Sequence, residues 1–150
     1  GQNLADPPVV SGWQAWYQFP QFHRIWINAD TLGNKNKTAE AIFSSNGVVL
    51  LNVALKIDVF KFFENISDKE NANAVVTESV ALLYNYPLST TSINYFKNYL
   101  TGGNAMGETY WTQIVLAYKN DPNATNKSQI ETRLRPMLKE IVSQAEYHLS

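Results

Sequence analysis

The chain has 150 residues with 12 Lys plus Arg, 13 Asp plus Glu and a formal net charge of -1, so no basic face points to nucleic acid. Hydrophobic residues make up 45% and aromatics 13%, enough for one compact core, and no apolar run reaches the length of a membrane span. The absence of cysteine excludes disulfides, thiolate metal sites and cysteine nucleophiles together.

In chain order, Pro7-Pro8 and Ser11-Gly12 oppose regular structure, and residues 1–19 read as an irregular segment. Trp13, Trp16, Tyr17, Phe19, Phe22 and Trp26 follow within fourteen residues, out of nineteen aromatics in the chain. Pro20 suits a first helical turn, after which Phe22, Ile25 and Trp26 share a face. Asn28, Asp30 or Thr31 is expected to cap a second helix with Leu32, Ala39, Ile42 and Phe43 inward and the stretch from Asn34 to Lys37 solvated. Gly47 ends it. Val48 to Ile57 is too short for periodicity to separate strand from helix, with an irregular or short-strand reading favoured.

Asp58 is expected to cap a helix whose stripe is Val59, Phe62, Phe63 and Ile66, with Phe62 taken as a core residue. The next helix turns Ala72, Val75, Val76, Ser79, Val80 and Leu83 inward and stops before Pro87. Ser89 caps another, burying Ile93, Phe96 and Leu100 until Gly102-Gly103. Trp111, Ile114, Val115 and Tyr118 form a further stripe. The last helix is expected from about Lys127, with Ile130, Leu134, Met137 or Leu138, Ile141 and Ala145 inward and Pro136 kinking or dividing it. The expectation is an all-α, single-domain bundle of six or seven short helices over residues 1–150, without a paired-strand element.

Chemical motifs are sparse. The glycine-rich stretch Gly102 to Gly107 lacks a preceding strand and a following Lys-Ser/Thr pair, so it reads as an interhelical loop rather than a phosphate cradle. Two histidines, His23 and His148, are too few for a histidine metal site, and no cofactor or metal is expected. Glu64, Asp68, Glu70, Glu78 and Glu108 fall on helix ends and exposed faces without forming an evident acid-base pair. His23 reads as a ring wedged between Phe22 and Trp26, and Arg24 as a guanidinium stacked on indole. No catalytic group is assigned, and whether the chain is part of an enzyme stays open.

The arrangement PPxVxGW from Pro7 to Trp13, followed by an aromatic run and WINxxTL from Trp26 to Leu32, resembles the bacterial domain-of-unknown-function family 1800. LLYNYPLS at residues 82–89 and the terminal EYHLS show weaker likeness. The resemblance implies an exported protein of the periplasm or cell surface, of which this chain is the C-terminal helical part. It also implies an upstream helical region against which the aromatic segment packs. Two functions remain in view. One is a non-catalytic interaction domain docking through Trp13, Trp16, Tyr17, Phe19, His23, Arg24 and Trp26 on its own upstream region or a partner protein. The other is a carbohydrate-binding module, or an accessory part of a polysaccharide-acting enzyme, with the same aromatics stacking on a glycan.

Overall fold

The fold was obtained as a computed structural model that describes residues 29–50 and 52–148. Six α-helices account for most of these residues: α1 (Ala29–Phe43), α2 (Val59–Glu64), α3 (Ala72–Leu83), α4 (Thr90–Thr101), α5 (Gly107–Asn120) and α6 (Ala124–Ser143). The fold is therefore the all-α bundle expected. Between α1 and α2 stand two short strands, β1 (Val48–Leu50) and β2 (Val53–Leu55), and a 3-10 turn at Glu146–His148 closes the described chain. The irregular segment 1–19 and the helix expected after Pro20 lie outside the described residues.

Helix α6 is the axis of the bundle. Its 20 residues extend about 30 Å at 1.5 Å per residue, and α1, α2, α4 and α5 all pack on it. Ile130, Leu134, Met137, Leu138 and Ile141 supply its buried stripe. They join Phe63, Ile66, Val75, Val76, Phe96, Leu100, Trp111 and Ile114 in one contiguous cluster. Of the two outcomes expected at Pro136, division does not occur, and the helix runs through it as one element. Pro136 is exposed and leaves the Thr132 carbonyl without the backbone hydrogen bond that an N–H would donate. The helix begins at Ala124, because the Asn123 side chain accepts the Asn126 amide at 2.8 Å. It ends at Ser143, so Ala145 is exposed rather than inward.

Capping follows residue chemistry closely. Ser89 accepts the Ser92 amide at 3.2 Å, and Gly102 closes α4 with φ 75°, a conformation that favours glycine. Asn71 caps α3 through its side-chain oxygen. Asp58 caps α2 by accepting the Phe60 and Lys61 amides, each at 3.1 Å, and these bonds, that of Lys61 first, hold its carboxyl below the usual range. Glu78 accepts the Ser67 amide at 2.9 Å and is lowered for the same reason. Both groups have folded-state pKa values below their unfolded ones. Their contribution is thus fully present above the ordinary carboxylate range and is lost as pH falls through the folded-state values. Thermal melts below about pH 4 should show Tm falling. The pair Asp58→Asn and Glu78→Gln, in which asparagine retains the cap, should flatten that fall. An unchanged acid limb would show that these carboxylates do not stabilise the fold.

Helix α1 starts at Ala29, so of the three capping candidates Asp30 and Thr31 lie within its first turn, while Asn28 falls outside the described residues. Two local expectations are corrected. Lys35 and Asn36 are half-buried, with the Asn36 Oδ1 enclosed and unpaired among the described residues, so only Asn34 and Lys37 of that stretch are solvated. In α2, Phe60 and Phe63 are 3% and 2% exposed whereas Phe62 is half-buried. The six-residue helix is gripped from two sides. Phe60 meets the Tyr118 ring edge-on at 5.0 Å with Lys127 Nζ 4.5 Å from its centroid, and Phe63 meets Trp111 at 5.8 Å.

Strands β1 and β2 form an antiparallel hairpin with Val48 opposite Leu55, Val49 opposite Ala54 and Leu50 opposite Val53. The short-strand reading of Val48 to Ile57 thus holds, but as a strand pair that had not been expected. Strands of three residues are too short to display a period of two. The loop is closed by Asn52 at φ 64°, a left-handed conformation that asparagine tolerates better than most residues. At the hairpin base Gly47 has φ 71°, and a Cβ there would strike the Leu55 carbonyl.

Candidate functional site

Trp13, Trp16, Tyr17, Phe19, His23, Arg24 and Trp26 all lie outside the described residues. Two surfaces stand out on the bundle. The first is the hairpin. Alternate residues of a strand point to opposite faces, yet all three residues of β2 are exposed. Val49 is 69% and Val53 58% exposed, and Leu55 and Ile57 are open too. Val48, at the base of the ribbon, is half-buried. The ribbon is tied to the bundle at its base, where the Ile57 amide donates to the Ile42 carbonyl at 3.3 Å.

The second surface is a groove of about 590 Å³ where α4, α5 and α6 meet, lined by Tyr99, Tyr110, Gln129, Thr132, Arg133 and their neighbours. Arg133 and Arg135 lie two positions apart on α6 with different fates. Arg135 donates to Glu131 at 2.8 Å and to the carbonyls of Phe43 and Ser44 at 3.4 Å, supplying positive charge at the C-terminal end of α1, which carries no basic residue in its last turn. Arg133 instead sits 5.2 Å from the Tyr110 ring centroid, and its Nη1 lies 2.7 Å from where a Gly102 Cβ would stand. Among the described residues it has no carboxylate or carbonyl partner.

The Tyr99 hydroxyl beside this groove belongs to a directed chain. Tyr95 Oη donates to Glu140 Oε1 at 2.8 Å, which commits its one proton. The 3.1 Å contact between the Tyr95 and Tyr99 hydroxyls must then have Tyr99 as donor. These bonds, with Tyr99 first and Glu140 next, raise the Tyr95 pKa. Glu140 Oε1 also accepts from Gln144 Nε2 at 2.7 Å. Tyr84, further along, has its phenol pushed up to about 12 by burial and donates to the Ile141 carbonyl at 2.8 Å. Its ring lies 5.9 Å from that of Tyr147, so the segments LLYNYPLS and EYHLS meet through these two tyrosines.

The carboxylates singled out in the sequence are dispersed in role. Glu108 pairs with Lys97 at 2.9 Å, Glu70 with Lys119 at 3.0 Å, and Glu78 holds the Ser67 amide. Glu64, Asp68 and Glu70 do share one cleft, beside Phe60, Phe63 and Tyr118. Among the described residues no cluster of three His, Cys, Asp or Glu side chains could hold a metal ion, and no helix is long and apolar enough to cross a membrane. The Gly102 to Gly107 stretch is the interhelical loop expected, joining α4 to α5. Sequence reasoning missed the groove because its parts sit on three helices. The legible signals were Tyr95 and Tyr99 one turn apart on the open face of α4, and an arginine flanking the α6 stripe. No protein family, curated protein or solved structure matches this chain.

Proposed function

We propose that this chain is a non-catalytic helical interaction domain of a larger exported protein, docking on its own upstream region. The Trp/Tyr-rich segment from Trp13 to Trp26 and the apolar hairpin are the docking surfaces. The observation that carries this reading is the hairpin: a two-stranded ribbon is marginal alone in water, and this one exposes Val49, Val53 and Leu55 with open edges. An extended apolar segment added to such an edge would pair its backbone and cover those side chains. The likeness of Pro7 to Leu32 to family 1800 supports an upstream helical region as the occupant and export as the context.

Joining the chain to its native upstream sequence should raise Tm by at least about 5 °C, since the covering segment binds only the folded state. Trp13→Ala, and separately the pair Val49→Lys and Val53→Lys, should remove most of that gain. The Val49→Lys and Val53→Lys pair should move the isolated chain by less than about 2 °C, because substitutions at such exposed positions rarely exceed about 0.5 kcal/mol. An unchanged Tm on joining, or a gain insensitive to both sets of substitutions, would sink the proposal.

A further inference from the structure

We infer that the groove between α4, α5 and α6 is a binding site for an acidic saccharide, with Arg133 receiving the carboxylate of a uronic acid unit. The site is distinct from the hairpin, none of whose residues lines it. Its volume of about 590 Å³ lies within the range of roughly 300–1,000 Å³ usual for small-molecule sites.

Arg133 carries the inference. Its guanidinium is held against the Tyr110 ring on one side and the Gly102 backbone on another, and it has no anionic partner among the described residues. A guanidinium offers five donors in a planar fork that matches a carboxylate in two parallel bonds. Fixing it beforehand reduces what must be ordered on binding. Gly102 makes this placement possible, because any side chain there would displace Nη1.

The rest of the lining selects a sugar over a simple anion or a peptide. Tyr99 and Tyr110 are 37% and 43% exposed, so aromatic surface is open at the groove. A ring carbon face can lie on such surface, while the equatorial hydroxyls reach outward. Thr125, Ser128 and Gln129 supply hydroxyl and amide groups that both donate and accept, as sugar hydroxyls require, while the Thr132 hydroxyl, which donates to the Ser128 carbonyl at 2.8 Å, remains an acceptor. An oligophosphate or a multiply acidic peptide would call for several cations, and among the described residues Arg133 is the only one lining the groove.

The test is calorimetric titration of the 150-residue chain with tetragalacturonate, tetramannuronate and hyaluronan tetrasaccharide. The expected result is saturable binding of at least one of them. That binding should weaken by at least about tenfold when its carboxylates are methyl-esterified, and similarly in Arg133→Met and Tyr110→Ala. Circular dichroism establishes that each variant is folded, and the methyl-ester comparison decides the matter on the unaltered chain if a variant is not. Failure of all three oligosaccharides to bind at millimolar concentration overturns the inference. So does equal binding of the methyl ester, or undiminished binding by folded Arg133→Met. Competition by acetate or inorganic phosphate at the concentration of the uronate itself reduces the groove to a plain anion site and overturns the saccharide assignment. Tighter binding of a glutamate-rich peptide does the same.

Discussion

Replacing Trp111 by alanine is expected to produce the largest loss of stability of any single change in the bundle. The indole is fully buried, meets Phe63 edge-on at 5.8 Å, and donates from Nε1 to the Lys69 carbonyl at 3.0 Å. Large-to-small changes at such sites cost about 3–5 kcal/mol, through lost transfer energy and a residual cavity. The abandoned Lys69 carbonyl moves the expectation to the upper end of that range. A further link is lost as well, because the indole bond fixes the segment between α2 and α3, where the neighbouring Thr112 hydroxyl also holds the Glu70 carbonyl at 2.9 Å. For a chain of this length the drop corresponds to Tm lower by about 10–20 °C, or to a largely unfolded protein if total stability is near 5 kcal/mol. Phe62→Ala, at a half-buried position on the same side of the bundle, should cost half as much or less. Chemical denaturation of the two variants side by side checks this. A Trp111→Ala loss under about 1 kcal/mol would mean that the core does not pack as described.

The contrast between Phe62 and Phe60 shows where sequence reading stops. A 3.6-residue stripe through Val59, Phe62, Phe63 and Ile66 was legible, and three of its four members are buried. The stripe fixes one face, yet a six-residue helix wedged between α5 and α6 buries more than one face, and nothing local records that. Helix α3 shows the inward set anticipated, with only Leu83 less than fully buried. Helix ends were legible wherever a single residue type decides them, as at Asp58, Ser89 and Gly102. Pro136 was legible only in part, because its missing N–H and the contact of its ring with the preceding turn are local costs that the packing of α6 on α1, α2, α4 and α5 outweighs. The hairpin was concealed because its strands are three residues long and apolar on both faces, so no alternation marks it. The groove was the least legible feature. Tyr99, Tyr110 and Arg133 are unremarkable in sequence and acquire meaning only when α4, α5 and α6 converge. The aromatic segment dominated the sequence reading, while the described bundle is organised around α6, whose polar majority hides a buried stripe of ordinary aliphatic residues.

The convergence of α4 and α5 rests on one glycine, and its removal is the second large effect expected. Gly107 opens α5 and is fully enclosed, and a Cβ placed there would strike the Thr101 carbonyl oxygen and stand 2.6 Å from the Thr101 Cβ. Its Cα has ordinary backbone geometry, since the left-handed glycines are Gly47, Gly102 and Gly103. The constraint is therefore close approach of two helices, not conformation. Thr101 cannot yield easily, because it is 5% exposed and its hydroxyl is bonded to the Lys97 carbonyl at 2.9 Å. Gly107→Ala should destabilise by about 2–3 kcal/mol, since overpacking against backbone must push the helices apart. That outcome is opposite in sign to the gain an alanine usually brings to a helix. Gly103→Ala is the informative control. No atom lies within 4 Å of a Cβ at Gly103, so its cost comes from φ 69° alone. Parting α4 from α5 also moves Tyr99 and Gly102 away from Tyr110, so Gly107→Ala should weaken any ligand bound in the groove while Gly103→Ala should not. A Gly107→Ala variant as stable as the parent would mean that the two helices are free to separate, and the preformed seat of Arg133 would then have no rigid frame.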